Sequence, residues 1–185
     1  MVSRKYANDY RLENTLGTNG KIVTVAVYNG MYFRFPADGH NLNRARVYIT
    51  VSCAVYWLFF WLGLYFDSGA MRQLYFSIPY FCGFLPAAYL TSSVYYLLTY
   101  TRKTPDKGFT REQKDRIFER LAQSSISMLI LSGLSAVGLI VYYALGAEGF
   151  KIMQDSAVIL SVLVMLASTF IIFIAKKHTK MQSAL

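Results

Sequence analysis

The sequence predicts an all-α membrane protein: a four-transmembrane-helix bundle with a small N-terminal cytosolic β-hairpin or meander. Three observations carry that expectation. The chain has 185 residues, of which 55% are hydrophobic, against roughly 45–50% in a soluble domain. The apolar residues gather into four blocks, 47–66, 73–100, 121–145 and 156–175, none of which contains Asp, Glu, Lys, Arg or His. The basic residues lie almost entirely on one side of those blocks.

The first block, VYITVSCAVYWLFFWLGLYF, has twenty residues. At about 1.5 Å per residue it covers roughly 30 Å, the thickness of the hydrocarbon layer. The second, at twenty-eight residues, is longer than a crossing needs and is expected to tilt, kink or project. Only 67–72 separates the first two blocks and 146–155 the last two, so each pair is expected to be antiparallel. Residues 1–43 contain no apolar run long enough for a signal peptide, so the first block is read as the insertion signal.

Basic residues set orientation. Seven precede the first block, seven lie in the connection 101–120 and three in the tail 176–185, while the two short connections contain only Arg72 and Lys151. Seventeen against two places both termini in the cytoplasm. The formal charge of +9 is thereby read as a topology signal and not as a nucleic-acid surface. Trp61, Tyr65, Tyr75, Tyr142 and Tyr143 fall near the outer boundary, and Tyr48, Tyr95, Tyr96 and Tyr100 near the inner one, where amphipathic rings are favoured.

Residues 21–28, KIVTVAVY, are β-branched and bounded by Asn19-Gly20 and Asn29-Gly30. Asn-Gly is a strong hairpin signal, because a type I′ turn needs positive φ at both central residues. The expected hairpin turns at Asn29-Gly30, with 31–35 returning and 9–16 as a third strand. Tyr10-Arg-Leu-Glu13 ahead of such a strand resembles small bacterial membrane proteins, which implies a bacterial plasma membrane and no particular function.

In the central connection, Thr110 to Gln113 fits a capping box, and Glu112 with Arg116 forms a favourable i,i+4 pair. The helix should run uninterrupted into the third block. Asp106, Glu112, Asp115 and Glu119 alternate with basic residues, as on a solvated helix face. Asp155 is assigned to the outer connection. Small residues on the third block, with Ser125, Ser132 and Ala136 on one face, suit close helix packing.

Pro79 and Pro86 interrupt the second block, because neither can donate to the carbonyl four residues earlier. Tyr56, Pro86, Tyr89 and Ser92 are the candidate pocket for a substrate-binding or permease reading. Asn29, Gly30, Lys107, Arg111 and Lys114 are the candidate docking surface for a cytoplasmic or membrane protein partner, or for anionic lipid headgroups. The lipid bilayer itself is an expected partner; nucleic acid is not. Cys53 and Cys82 are expected to pack as small buried hydrophobes. His40 and His178 are isolated and expected to be solvated. No P-loop, HExxH, GxSxG or CxxCH pattern occurs, so no catalytic residue, cofactor or metal is expected. The leading expectation is a non-enzymatic accessory or scaffold subunit.

Overall fold

A computed structural model describes residues 4–16, 21–34, 39–66, 68–103, 109–145, 152–176 and 182–183. Four helices in it are long and apolar enough to cross a membrane. The first is α1, Gly39–Tyr65. The second comprises α2, Leu74–Cys82, and α3, Phe84–Lys103. The third runs continuously through α4, Arg111–Lys114, a π-helical turn over Asp115–Glu119 and α5, Arg120–Ala144. The fourth is α6, Ile152–Ala175.

Their packing inverts the pattern of a soluble bundle. On α5 the buried residues include Ser124, Ser125, Ser132, Ser135 and Gly138, while Ile130, Leu134, Val137 and Ile140 are exposed. On α6, Ser161, Ser168 and Thr169 face inward and Leu160, Leu163 and Phe170 outward. Small residues let helix backbones approach, and large aliphatics on the outside suit an apolar solvent. Helix α1 packs chiefly on α6, α6 on α5, and α5 on α2 and α3.

Aromatic rings fill the centre. Phe60 stacks on Tyr80 with centroids 5.2 Å apart, and the Tyr80 hydroxyl donates to the Phe60 carbonyl at 2.8 Å. Trp57 Nε1 donates to Thr91 Oγ1 at 2.8 Å, joining α1 to α3. The second long helix is interrupted at Gly83, between the two prolines. Pro86 supplies no N–H to Cys82, so the helical ladder has a gap there; the Tyr56 hydroxyl packs where a Gly83 side chain would stand.

The β elements differ from the expected pairing. Strands β1, Tyr10–Leu16, and β2, Ile22–Tyr28, form an antiparallel pair from Tyr10↔Tyr28 to Leu16↔Ile22. The connection between them therefore spans the Asn19-Gly20 site, which lies outside the described residues, and Asn29-Gly30 is not the hairpin turn. Gly30 has no left-handed backbone; it is small because the Tyr28 hydroxyl and Asp9 crowd it. Strand β3, Phe33–Arg34, does not return along β2. It pairs with β4, Gln182–Ser183, and Phe33 exchanges two backbone hydrogen bonds with Phe109. The sequence holds two equivalent Asn-Gly signals, and the local pattern does not choose between them. Phe35 of the expected return strand is outside the described residues, as are Lys107, Asp106 and His178.

Candidate functional site

Thr110 caps the third long helix by accepting from the Gln113 N–H at 3.3 Å, while Gln113 Oε1 accepts from the Thr110 N–H at 3.1 Å. This is the expected capping box, and Glu112 makes the expected ion pair with Arg116 at 2.9 Å. The long helix covers Arg111–Ala144, 34 residues, or about 50 Å against a hydrocarbon layer of about 30 Å. Its first turns form an arm beyond any apolar layer that the rest could occupy.

The β1–β2 hairpin is fastened to that arm by tyrosine hydroxyls. Tyr6, in the 3₁₀ helix Arg4–Asp9, is buried and donates to Asp115 Oδ2 at 2.9 Å. Tyr10 donates to Glu112 Oε2 at 3.4 Å. The Arg111 backbone N–H donates to the Tyr28 hydroxyl at 3.0 Å, and that hydroxyl donates to the Met31 carbonyl at 2.9 Å. Because Tyr10 and Tyr28 are directly opposed in the register, their rings meet edge to face at 5.2 Å and reach the same helix end. Partial burial and the neighbouring Glu112 carboxylate hold the Tyr10 phenol above its ordinary value. Glu112 and Asp115 are thus hydrogen-bond acceptors for the hairpin, not merely solvated charges.

Of the predicted docking residues, Asn29, Gly30, Arg111 and Lys114 are gathered here, while Lys107 lies outside the described residues. Asn29 donates its backbone N–H to the Asp9 carbonyl at 2.9 Å, next to Gly30 and the Tyr28–Arg111 contact. Lys114 stands 4.0 Å over the Phe33 ring. Beyond Tyr10 and Tyr28 both faces of the hairpin are open. Val23, Val25 and Val27 are exposed on one side, paired in the register with Thr15, Glu13 and Arg11, and Leu12 and Ile22 are exposed on the other.

The predicted pocket is only partly assembled. Pro86 and Tyr89 line a groove of about 520 Å³ between the second and third long helices, together with Cys82, Arg120, Ser124 and Ser127. Tyr56 is excluded: it is 1% exposed and packs parallel to Phe60 in the core. Ser92 does not line the groove either. Cys53 is buried as expected, but Cys82 is exposed on the groove wall. The α2–α3 interruption beside Pro86 turns it outward.

One site was not legible as such. Asp155, assigned to a connection, lies in the first turn of α6 and is 3% exposed. It accepts from the Ser68 hydroxyl at 2.6 Å, and Ser68 in turn accepts from the Ala70 N–H at 3.2 Å. The signal was spacing: Asp155, Val158, Val162, Met165, Thr169 and Ile172 are all buried at steps of three and four, so the inward stripe begins before the apolar block does.

No protein-family model, curated protein or solved structure matches the chain.

The latch yields a direct expectation. Tyr6→Phe combined with Tyr28→Phe removes hydrogen bonds worth about 1 kcal/mol each. Amide exchange in β1 and β2 should quicken by at least about thirtyfold, while exchange in α5 stays unchanged. Identical exchange in parent and variant would show that the hydroxyls do not hold the hairpin.

Proposed function

We propose that this chain is a non-enzymatic multi-pass membrane protein that presents its β1–β2 hairpin at the cytosolic surface of a bacterial plasma membrane as a docking element for a protein partner. One observation carries the reading: the hairpin is latched to a rigid helical arm by Tyr6, Tyr10 and Tyr28, yet its Val23–Val25–Val27 face is exposed. A lone two-stranded ribbon is marginal in water. Its unpaired edges invite strand addition, and attachment to the arm keeps them available at a fixed height. The basic excess supports the cytosolic orientation, and basic residues beside the membrane also attract anionic headgroups by about 1 kcal/mol each. A second reading, a substrate-binding membrane subunit, is favoured by the groove at Pro86 and Tyr89.

Two measurements test the proposal in cells. A reporter active only outside the cytoplasm should work when fused after Gly149 and stay silent after Leu185; activity at Leu185 would sink the orientation. A photo-crosslinking residue at Val25 should give one discrete adduct, lost in the Tyr6→Phe, Tyr28→Phe variant. Absence of any adduct from Val23, Val25 and Val27, with normal reporter behaviour, would reject the docking role alone.

A further inference from the structure

We infer that β2 is a self-pairing edge: two copies of this chain, side by side in one membrane, join their β2 strands antiparallel about a two-fold axis through Val25 and form one four-stranded sheet. The inference deepens the docking reading and rests on it, naming the partner as a second copy.

Backbone hydrogen bonding shows which groups line the open edge of β2. The Asn29 N–H donates to the Asp9 carbonyl at 2.9 Å, continuing the register one pair beyond Tyr10↔Tyr28. Direction alternates along an antiparallel ladder. Val23, Val25 and Val27, in phase with Asn29, therefore spend their N–H and C=O groups on β1, and Ile22, Thr24, Ala26 and Tyr28 aim theirs outward. Among the described residues, no other strand pairs with that outer edge. Exposed edges are commonly guarded by a charge or a proline. Ile22–Tyr28, IVTVAVY, contains neither.

The strand is complementary to its own reverse. Full antiparallel overlap of two copies sets Ile22 against Tyr28, Thr24 against Ala26, and Val25 against itself. The Ile22–Tyr28 and Thr24–Ala26 pairs are then the hydrogen-bonded ones, because those residues aim outward in both copies; with their symmetry mates they supply about eight ladder bonds. Val25 meets Val25 in a non-hydrogen-bonded pair, where side chains come closest, and Val23 meets Val27 on either side of it. Branched side chains pack well across such a ladder. The same operation on β1 fails. Full overlap of Tyr10–Leu16 with its copy sets Glu13 against Glu13, and like charges directly opposed are destabilising.

Membrane geometry agrees. A two-fold axis between antiparallel strands is normal to the sheet, so it keeps equivalent faces on the same side. Tyr10 and Tyr28, which bind the helical arm, alternate with the valines and lie on the opposite face. Both arms thus approach the joined sheet from one side, as two chains in the same bilayer require. The contact is isologous and closes on itself, the commonest form of homodimer. It also turns a marginal two-stranded ribbon into a sheet of the size that holds in water.

The test is cysteine crosslinking of the full chain in native membranes, with copper-phenanthroline as oxidant and in a Cys82→Ala background that leaves the buried Cys53. Val25→Cys should give a covalent dimer, because a non-hydrogen-bonded pair brings the Cα atoms to about 4.5 Å, within disulfide reach. Val23→Cys and Val27→Cys should each fail alone, since either residue is displaced from its own copy by roughly 13 Å along the strand, yet they should link when coexpressed. Val25→Lys should lower recovery of a second, differently tagged copy from non-ionic detergent about tenfold. Coexpressing Val25→Lys with Val25→Glu should restore it. No dimer from Val25→Cys, equal linking of all three single variants, or full recovery with Val25→Lys would each overturn the inference. A photo-crosslink from Val25 to a different protein would also overturn it while leaving the docking reading standing, so the two failures are distinguishable.

Discussion

Replacing Gly138 by leucine is expected to disrupt the helix bundle, lowering the thermal midpoint in detergent and broadening the size-exclusion peak. A Cβ at this position would stand 3.0 Å from the Tyr75 carbonyl oxygen and 3.1 Å from Phe76 Cα. Both are backbone atoms, so neither can swing aside, and α2 would have to move away from α5. The carbonyl concerned is the one that Pro79 leaves without its helical donor; the gap in one helix and the missing side chain in the other sit together. Overpacking of this kind costs about 1–3 kcal/mol, and leucine against backbone belongs at the upper end. Gly133 provides the control. Nothing lies within 4 Å of a Cβ built there, so Gly133→Leu should be neutral or stabilising by up to about 1 kcal/mol through helix propensity. Equal midpoints for the two variants would show that close approach at Gly138 does not hold the helices together.

The second large effect is expected at Asp155. Asp155→Leu removes the acceptor for the Ser68 hydroxyl, which is fully buried. A hydrogen bond to a charged group contributes about 1.5–3 kcal/mol, and the abandoned hydroxyl adds its own desolvation cost. Ser68 also holds the Ala70 N–H at the start of the short 3₁₀ turn Gly69–Arg72, so the connection between the first two helices should loosen as well. The pair can be separated from general core damage by a double-mutant cycle. Ser68→Ala with Asp155→Leu should be less destabilised than the sum of the single changes, because the Ser68 hydroxyl and the Asp155 carboxylate are removed together and neither is left buried without the other. Strict additivity in thermal or chemical unfolding would mean that the two side chains contribute independently.

Much of the helical architecture was legible because it is local. Uncharged blocks of membrane-crossing length, the Thr110–Gln113 cap and the Glu112–Arg116 pair each depend on residues within a few turns of one another. Pro86 and Tyr89 were found for the same reason: they are three residues apart on one face of α3, beside a proline. Tyr56 was misplaced in the pocket because its surroundings are set in part by another chain segment; the sequence marks an aromatic on α1 but not that it packs over Gly83. The hairpin failed at the same boundary. Two Asn-Gly pairs flank one strand, and the competition between them is decided by Tyr6, Tyr10 and Tyr28 meeting residues about a hundred positions away. Asp155 was missed because a carboxylate reads as surface wherever it stands at the end of an apolar run, unless the inward stripe is traced past that end.

The π-helical turn over Asp115–Glu119 joins the arm that bears the hairpin to the long helix below it. In an ordinary α-helix, gaining or losing one residue swings everything beyond it by about 100° around the axis. A π turn accommodates one residue more than the α turn it replaces, so it can take up such a change without passing the rotation on. The arm and the bundle thereby keep independent compass bearings. Deleting one residue between Asp115 and Glu119 should return this turn to α geometry and leave the valine face pointing the same way relative to the buried side of α5.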